Sequence, residues 1–387
     1  MDQRTQFVLA VREQGVSVAQ ACRDFGVSRK TGYKWLARFD DHGVEGLSDQ
    51  PRAPKRSPDK TPEHLEARIV RARQRFGWGA RKIIGWLRLQ SPELDWPAPS
   101  TAHDILARHG LIAPQQPAKR VPQPDAPPSP LARATAPNQL WSVDHKGKFR
   151  LGDGSYCYPL TITDNFSRMV LGCWALGTTN SKQARACMER TFERWGVPQA
   201  LRSDNGTPFA SRGVLGLSTL SAWWRQLGIA HERIDPGRPD QNGRHERMHL
   251  TLKRATTRPA GHDLGAQQGR FDLWLEHFNH ERPHEALGQL PPAHLHDLSE
   301  RAYAPAEPLL YPHHDQRKLV DKTGSIKVGY GKLFIGQALY TQHVGLIEID
   351  TGVWLVEFAG LQLGLFEVGD TSLSPVERGE VTKRFTV

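Results

Sequence analysis

Leu140-Trp141-Ser142-Val143-Asp144 is a short apolar run that ends in a carboxylate, and its reading decides the fold. Four residues of that kind, closed by an acid, predict a buried strand that delivers Asp144 to its end. Two later stretches repeat the theme. Leu201-Arg202-Ser203-Asp204-Asn205-Gly206 is a strand that stops at an Asn-Gly turn. Gln241-Asn242-Gly243-Arg244-His245-Glu246-Arg247-Met248-His249 reads as the start of a basic helix. Two strand ends and one helix start can bring Asp144, Asp204 and Glu246 to a single point.

That is what two-metal phosphoryl chemistry requires, with one ion facing the attacking oxygen and the other the leaving oxygen. Hard carboxylate oxygens favour two Mg²⁺ ions, with Mn²⁺ as a substitute, over zinc. Without metal the three carboxylates repel and raise one another's pKa. On the same helix, Arg244, Arg247, Lys253 and Arg254 can hold phosphate, and His249 shares much of the Glu246 face. Taken singly, Asp144 also reads as a strand-edge carboxylate, Asp204 as a turn former, and Glu246 as a surface partner of Arg247 or Lys253. The three in order carry the argument. Asp164 sits in an Asp-Asn turn and reads as structural. His245 and His284 read as packing or solvated groups, and Trp223-Trp224 as core or dimer surface.

Around these residues the pattern is that of an α/β layer over residues 138–300. Strands are expected at 140–143, 158–162, 169–176 and 200–202, with helices at 181–195, 218–227 and 243–256. The tail, 309–387, is rich in glycine and short β-branched runs, which predicts a small all-β domain, an antiparallel barrel or sandwich. Residues 114–137 hold eight prolines and form a linker by composition. Ahead of it, residues 61–113 predict three helices, at 62–75, 80–89 and 100–109, the last capped by Ser100. They read as a second helix-turn-helix or winged module.

Residues 1–49 predict the first such module. Phe7, Val8 and Val11 share one face of an opening helix. Ser17 and Ser28 cap the next two across a Gly26-Val27 turn. On the third helix, 29–39, Trp35 and Leu36 face inward while Arg29, Lys30, Tyr33 and Lys34 face solvent, as suits a helix in the major groove.

At 387 residues the chain has room for two to four domains, and 38% hydrophobic content with 11 Trp and 14 Phe supplies their cores. The net charge of +10 points to an anionic partner, double-stranded DNA first. Residues 1–137 hold 22 Lys/Arg against 14 Asp/Glu, and the remainder 29 against 27, so the basic surplus lies in the N-terminal third. Cys22, Cys157, Cys173 and Cys187 are scattered, which argues against a zinc site or a disulfide framework. Neither a signal peptide nor an apolar run of membrane-spanning length is present, so no membrane association is expected.

At these residues the chain resembles the retroviral-integrase superfamily, in its branch of bacterial insertion-sequence transposases with an Asp-Asp-Glu triad. Trp141-Ser142-Val143-Asp144 is similar to the family's first-aspartate strand, and Ile162-Thr163-Asp164-Asn165-Phe166-Ser167-Arg168 to the strand and turn that follow. Ser203-Asp204-Asn205-Gly206-Thr207-Pro208-Phe209 resembles the second-aspartate motif. Pro239-Asp240-Gln241-Asn242-Gly243-Arg244-His245-Glu246 resembles the glutamate segment, and Phe278-Asn279-His280-Glu281-Arg282-Pro283-His284 with Pro291-Pro292 the segment that closes the core. Five motifs in order cover, with the N-terminal module, roughly residues 1–300.

The resemblance implies an RNase H-like catalytic core and a polynucleotidyl transferase that nicks the ends of its element. It then joins the 3′-hydroxyl to target DNA, as a dimer or larger complex in the bacterial cytoplasm, associated with the nucleoid. Forty-one residues separate Asp204 from Glu246, more than in retroviral integrases, and the extra length is expected around 211–219 as a loop or short helix. The retroviral zinc module has no counterpart. Two other readings compete: a helix-turn-helix regulator with a silent core, and a nuclease acting on RNA or hybrids.

Overall fold

The computed structural model describes residues 2–49, 60–113, 131, 133–235, 241 and 243–376. Most of the expected linkers, 50–60 and 114–137, and the motif residues Pro239, Asp240 and Asn242 lie outside them. The chain divides into two compact units, Met1–Pro62 and Glu63–Val387.

The first unit is three helices, α1 (Gln3–Arg12), α2 (Val18–Asp24) and α3 (Arg29–His42). Ser17 Oγ accepts from the Gln20 amide and Ser28 Oγ from the Thr31 amide, which closes the open donors at both helix starts. Phe7, Val8, Ala21, Cys22, Leu36 and Leu47 form the core. Gly32 is there for space: a Cβ on it would lie 2.7 Å from both Cys22 Sγ and the Phe7 ring. The absence of that Cβ lets α3 lie close over α1 and α2.

In the second unit, α4 (Glu63–Phe76), α5 (Ala80–Gln90) and α6 (Pro99–Arg108) enclose Leu65, Ile69, Ile83, Leu87, Ile105 and Leu106. The expected Ser100 cap is corrected. Helix α6 begins at Pro99 behind Ala98, with no side-chain cap, because proline at the first position needs no amide partner. This module is fastened to the following domain. Arg81 pairs with Glu285 at 2.9 Å, Lys82 Nζ donates to the Pro283 carbonyl at 2.8 Å, and His277 stacks on both Phe76 and Trp78.

The α/β layer is built on a six-stranded sheet. Its strands are β1 (Leu140–His145), β2 (Phe149–Arg150), β3 (Tyr156–Asp164), β4 (Val170–Leu176), β5 (Ala200–Ser203) and β6 (Ala230–Arg233). Strand β3 runs antiparallel to β1 and β4, and β1 and β5 and then β5 and β6 are parallel. The reading from sequence lacked β2 and β6. One is only two residues long, and the other, Ala-His-Glu-Arg, has no apolar alternation. Helices α7 (Ser181–Trp195) and α8 (Thr219–Gln226) cover one face around Trp141, Leu160, Ile162, Phe192, Trp223 and Trp224. Helices α9 (Gly243–Thr256) and α10 (Leu264–Glu276) cover the other around Cys157, Val170, Met248, Leu252 and Phe271. Helix α10 was likewise absent from the expected elements.

The tail adds β7 (Gln316–Leu319), β8 (Ser325–Val328), β9 (Gly331–Phe334), β10 (His343–Asp350), β11 (Val353–Phe358) and β12 (Leu361–Glu367). They form a four-stranded antiparallel sheet in the order β12-β11-β10-β7 and a β8-β9 hairpin, the small all-β region expected. Leu217 and Ala222 of the α/β layer are buried in this tail's core beside Leu339, Val344 and Phe358. Residues 211–218 form a loop with a 3₁₀ turn, Val214–Gly216, and Val214 and Leu217 provide part of this seat.

Candidate active site

Asp144 lies near the end of β1, opposite Thr161 of β3 in the antiparallel register. Asp204 follows the last residue of β5, and its Oδ1 accepts from the Gly206 amide at 3.1 Å. A Cβ on Gly206 would fall 3.0 Å from the Asp204 carboxylate, so the Asp-Asn-Gly turn keeps that oxygen uncrowded. Glu246 is the acid in the first turn of α9. The three expected residues share one field. Burial first, then the Asp204 carboxylate and more weakly Glu246, push Asp144 up to about 7, against the opposing pull of Lys146.

Buried pairing keeps the arms in place. Arg202, on β5 beside Asp204, is 8% exposed and reaches Glu232 of β6 at 2.7 Å. Gln241 binds both the amide and the carboxylate of Asp235 at 2.7 Å, tying the residue that ends the strand side to the one that precedes α9.

Behind Asp144 lies a polar chain that the sequence reading did not find. The period-two alternation of β3 sends Leu160 and Ile162 into one core and Thr161 and Thr163 toward α9. Thr161 Oγ1 is 2.7 Å from Nε2 of both His245 and His249, and Thr163 Oγ1 is 2.9 Å from His245 Nδ1. Thr163 Oγ1 donates to His245 Nδ1 when His245 carries its hydrogen on Nε2. Thr161 Oγ1 also donates to the Asp144 carbonyl at 3.3 Å and can accept from both Nε2 atoms, so the His249 tautomer follows from which partner takes the threonine hydrogen. His249 Nδ1 lies 3.8 Å from Asp144 Oδ2. Burial holds His245 down to about 3 and His249 lower still, so both rings are neutral around pH 7.

Asp144, His245 and His249 offer ligand atoms within 4.8 Å of one another. Both nitrogens of His245 are engaged by threonines, while His249 Nδ1 faces Asp144 at 3.8 Å. The oxygen donors of Asp144, Asp204 and Glu246, with Asp144 held at a raised pKa by burial and then by the other two, fit a hard divalent cation. His249, three residues past Glu246, was the one signal of this chain available in sequence. Its partners on β3 required the fold.

The remaining expected residues fall in separate places. Asp164 is buried and capped: Oδ1 accepts from the Asn138 amide, and Oδ2 from the Ser167 amide and hydroxyl. Trp223 and Trp224 are core. His245 is packed, as expected; His284 is also largely enclosed, with Nε2 buried and unpartnered. Lys253 and Arg254 lie exposed in the last turn of α9, and Arg244 and Arg247 are exposed near its start. Arg29, Lys30, Tyr33 and Lys34 are exposed on α3 of the first unit, while Leu36 is buried and Trp35 half-buried. Asn279, in the closing segment, is fully buried and exchanges both its hydrogen bonds with the Val170 backbone.

Residues 134–239 and 227–292 match two family models, each described as an integrase core domain. Residues 3–55 match a helix-turn-helix domain and 31–106 a homeodomain-like domain. An uncharacterized 39.2 kDa protein of insertion element IS476 from Xanthomonas euvesicatoria is 29% identical over 62% of this chain and 67% of its own length. A 31.7 kDa protein of insertion element IS407 from Burkholderia multivorans is 23% identical over 73% of this chain and 92% of its own. The HTLV-2 integrase catalytic core domain, solved in complex with magnesium, covers 43% of this chain and 100% of its own at 16% identity and a TM-score of 0.35. Among the described residues no helix is long and apolar enough to cross a membrane.

Proposed function

From the premise of an integrase core domain carried behind a helix-turn-helix domain, we propose that this chain is a DNA transposase. It binds the ends of an insertion sequence, cleaves there, and joins the 3′-hydroxyl to target DNA. The observation that carries this reading is the shared field of Asp144, Asp204 and Glu246 at the strand ends and helix start of that core. Mg²⁺ or Mn²⁺, held as a pair by the three carboxylates, would supply Lewis-acid stabilisation of the in-line displacement.

The chain's own residues do the rest. His249, backed by Thr161, His245 and Thr163, packs a neutral imidazole 3.8 Å from the Asp144 carboxylate, and Thr161 donates to the Asp144 carbonyl. Gly206 leaves Asp204 accessible. Lys253 and Arg254 hold the phosphate backbone beside the reacting strand. Arg29, Lys30, Tyr33 and Lys34 read the terminal repeats from α3. Residues 1–49 and 61–113 bind DNA, 138–300 carry the chemistry, and the β7–β12 region packs against Leu217 and Ala222 of that core. Joining two ends in one reaction calls for a dimer or larger assembly on DNA, in the bacterial cytoplasm where the DNA is.

The test incubates purified chain with labelled DNA carrying the element's ends, in Mg²⁺ or EDTA, beside Glu246→Gln. Metal-dependent nicking and joining, lost in the variant, is the expected result. Tight end binding with no cleavage in Mg²⁺ or Mn²⁺ would sink the enzyme reading in favour of a silent-core regulator.

A further inference from the structure

Beside the first turns of α9 lies a cavity of about 590 Å³. Lys82, Arg168, Arg244, Arg247, Arg282 and His284 line it, drawn from α5, the β3–β4 turn, α9 and the segment after α10. The acids on its wall are already committed. Asp164 accepts from Asn138 and Ser167, and Glu285 pairs outward with Arg81.

The cations are not balanced in the same way. Nη1 of Arg168 and Nε2 of His284 are buried with no hydrogen-bond partner among the described residues. Burial and then Arg244 lower the Arg168 pKa to about 10, with Asp164 opposing and Arg247 adding; burial and then Arg282 lower Lys82 to about 8, with Glu285 opposing. A buried, unpaired guanidinium nitrogen beside other cations costs stability unless an anion completes it. Arg168 has φ 65, a left-handed conformation that glycine or asparagine adopts at lower cost in such a turn.

We propose that this cavity is a phosphate-binding site, in which Arg168, Arg282 and Lys82 supply the charge and His284 a neutral imidazole edge. Guanidinium forks match the paired oxygens of a phosphate, and the volume suits a phosphate with its adjoining sugar. Resting on the transposase reading, the source is a backbone phosphate of a DNA strand that continues past the carboxylates around α9. The alternative source of the same chemistry is a free phosphoanion.

The experiment uses the full chain in EDTA at fixed ionic strength, so that no metal chemistry enters. Wild type, Arg168→Gly and Arg282→Gln are compared with two probes: a short duplex, titrated across salt, and inorganic pyrophosphate, followed by melting temperature. Arg168→Gly relieves the left-handed strain, so without probe it melts no lower than wild type, and weaker binding there is not unfolding. Each variant is expected to weaken duplex binding several-fold and to lower its salt slope by about 1.

If pyrophosphate stabilisation falls in the variants while duplex binding does not, the site stands and its ligand is the free anion. Equal responses of all three chains to both probes would overturn it. Cleavage is measured separately, so its failure with these differences intact would remove the transposase and leave the pocket.

Discussion

The first helical unit and the carboxylate centre handle charge in opposite ways. On α3, Arg29, Lys30, Tyr33 and Lys34 stand in water, held only by their own helix, above a core of Phe7, Cys22 and Leu36. At the centre, Asp144 is largely enclosed, feels Asp204 and more weakly Glu246, and is backed by two buried neutral histidines. Exposed like charges are screened by solvent and salt, so a reading surface tolerates their crowding at little cost. Buried like charges store repulsion, which only a proton or a cation relieves. The contrast implies that affinity for ends and competence for chemistry can be damaged separately.

Asp204→Asn is the sharpest break. Cleavage should fall on the order of a thousandfold or more, because a centre acting as a unit does not survive loss of one carboxylate. End binding should stay within a few fold in a gel-shift titration, and a parallel loss of binding would erase the contrast. The mirror change is Gly32→Val, whose branched side chain meets Cys22 and Phe7 and should destabilise the first unit by about 1–3 kcal/mol. End binding should drop while Mg²⁺-induced protection of the core from proteolysis is unchanged; full-strength binding would show that the tight packing is not needed.

Asp144→Asn tests the stored repulsion. With a folded value near 7 against an ordinary 3.8, Asp144 favours folding while it keeps its proton. That advantage is complete below about pH 4 and is lost as pH rises through 7. In EDTA the variant should therefore melt a few degrees above wild type at pH 8 and together with it at pH 4. A difference of equal size at both values would point to packing instead. The smallest effect is expected for Lys34→Ala: several-fold weaker end binding and a salt slope lower by about 1. An unchanged slope would take Lys34 off the DNA.

What was legible in sequence follows the same division. The carboxylates sit in short local contexts, and caps such as Ser17 and Ser28 are local too, so both can be read from a few neighbours. The relay behind Asp144 joins residues 82 to 88 positions apart, and the basic cavity collects residues from 82 to 286; neither has a local trace. Strand β6 escaped because its residues are polar and half-exposed, and its place in the sheet comes from pairing with β5. Ser100 looked like a cap because serine favours that position, and Pro99 took the helix start first.

Leu217 and Ala222 have a practical consequence for anyone cutting the protein apart. A fragment that stops at residue 300 would carry those side chains, with Val214, bare into water where Leu339, Val344 and Phe358 had covered them. Such a patch invites self-association, so the trimmed fragment is expected to precipitate or to need polar replacements at 214 and 217 before it stays in solution.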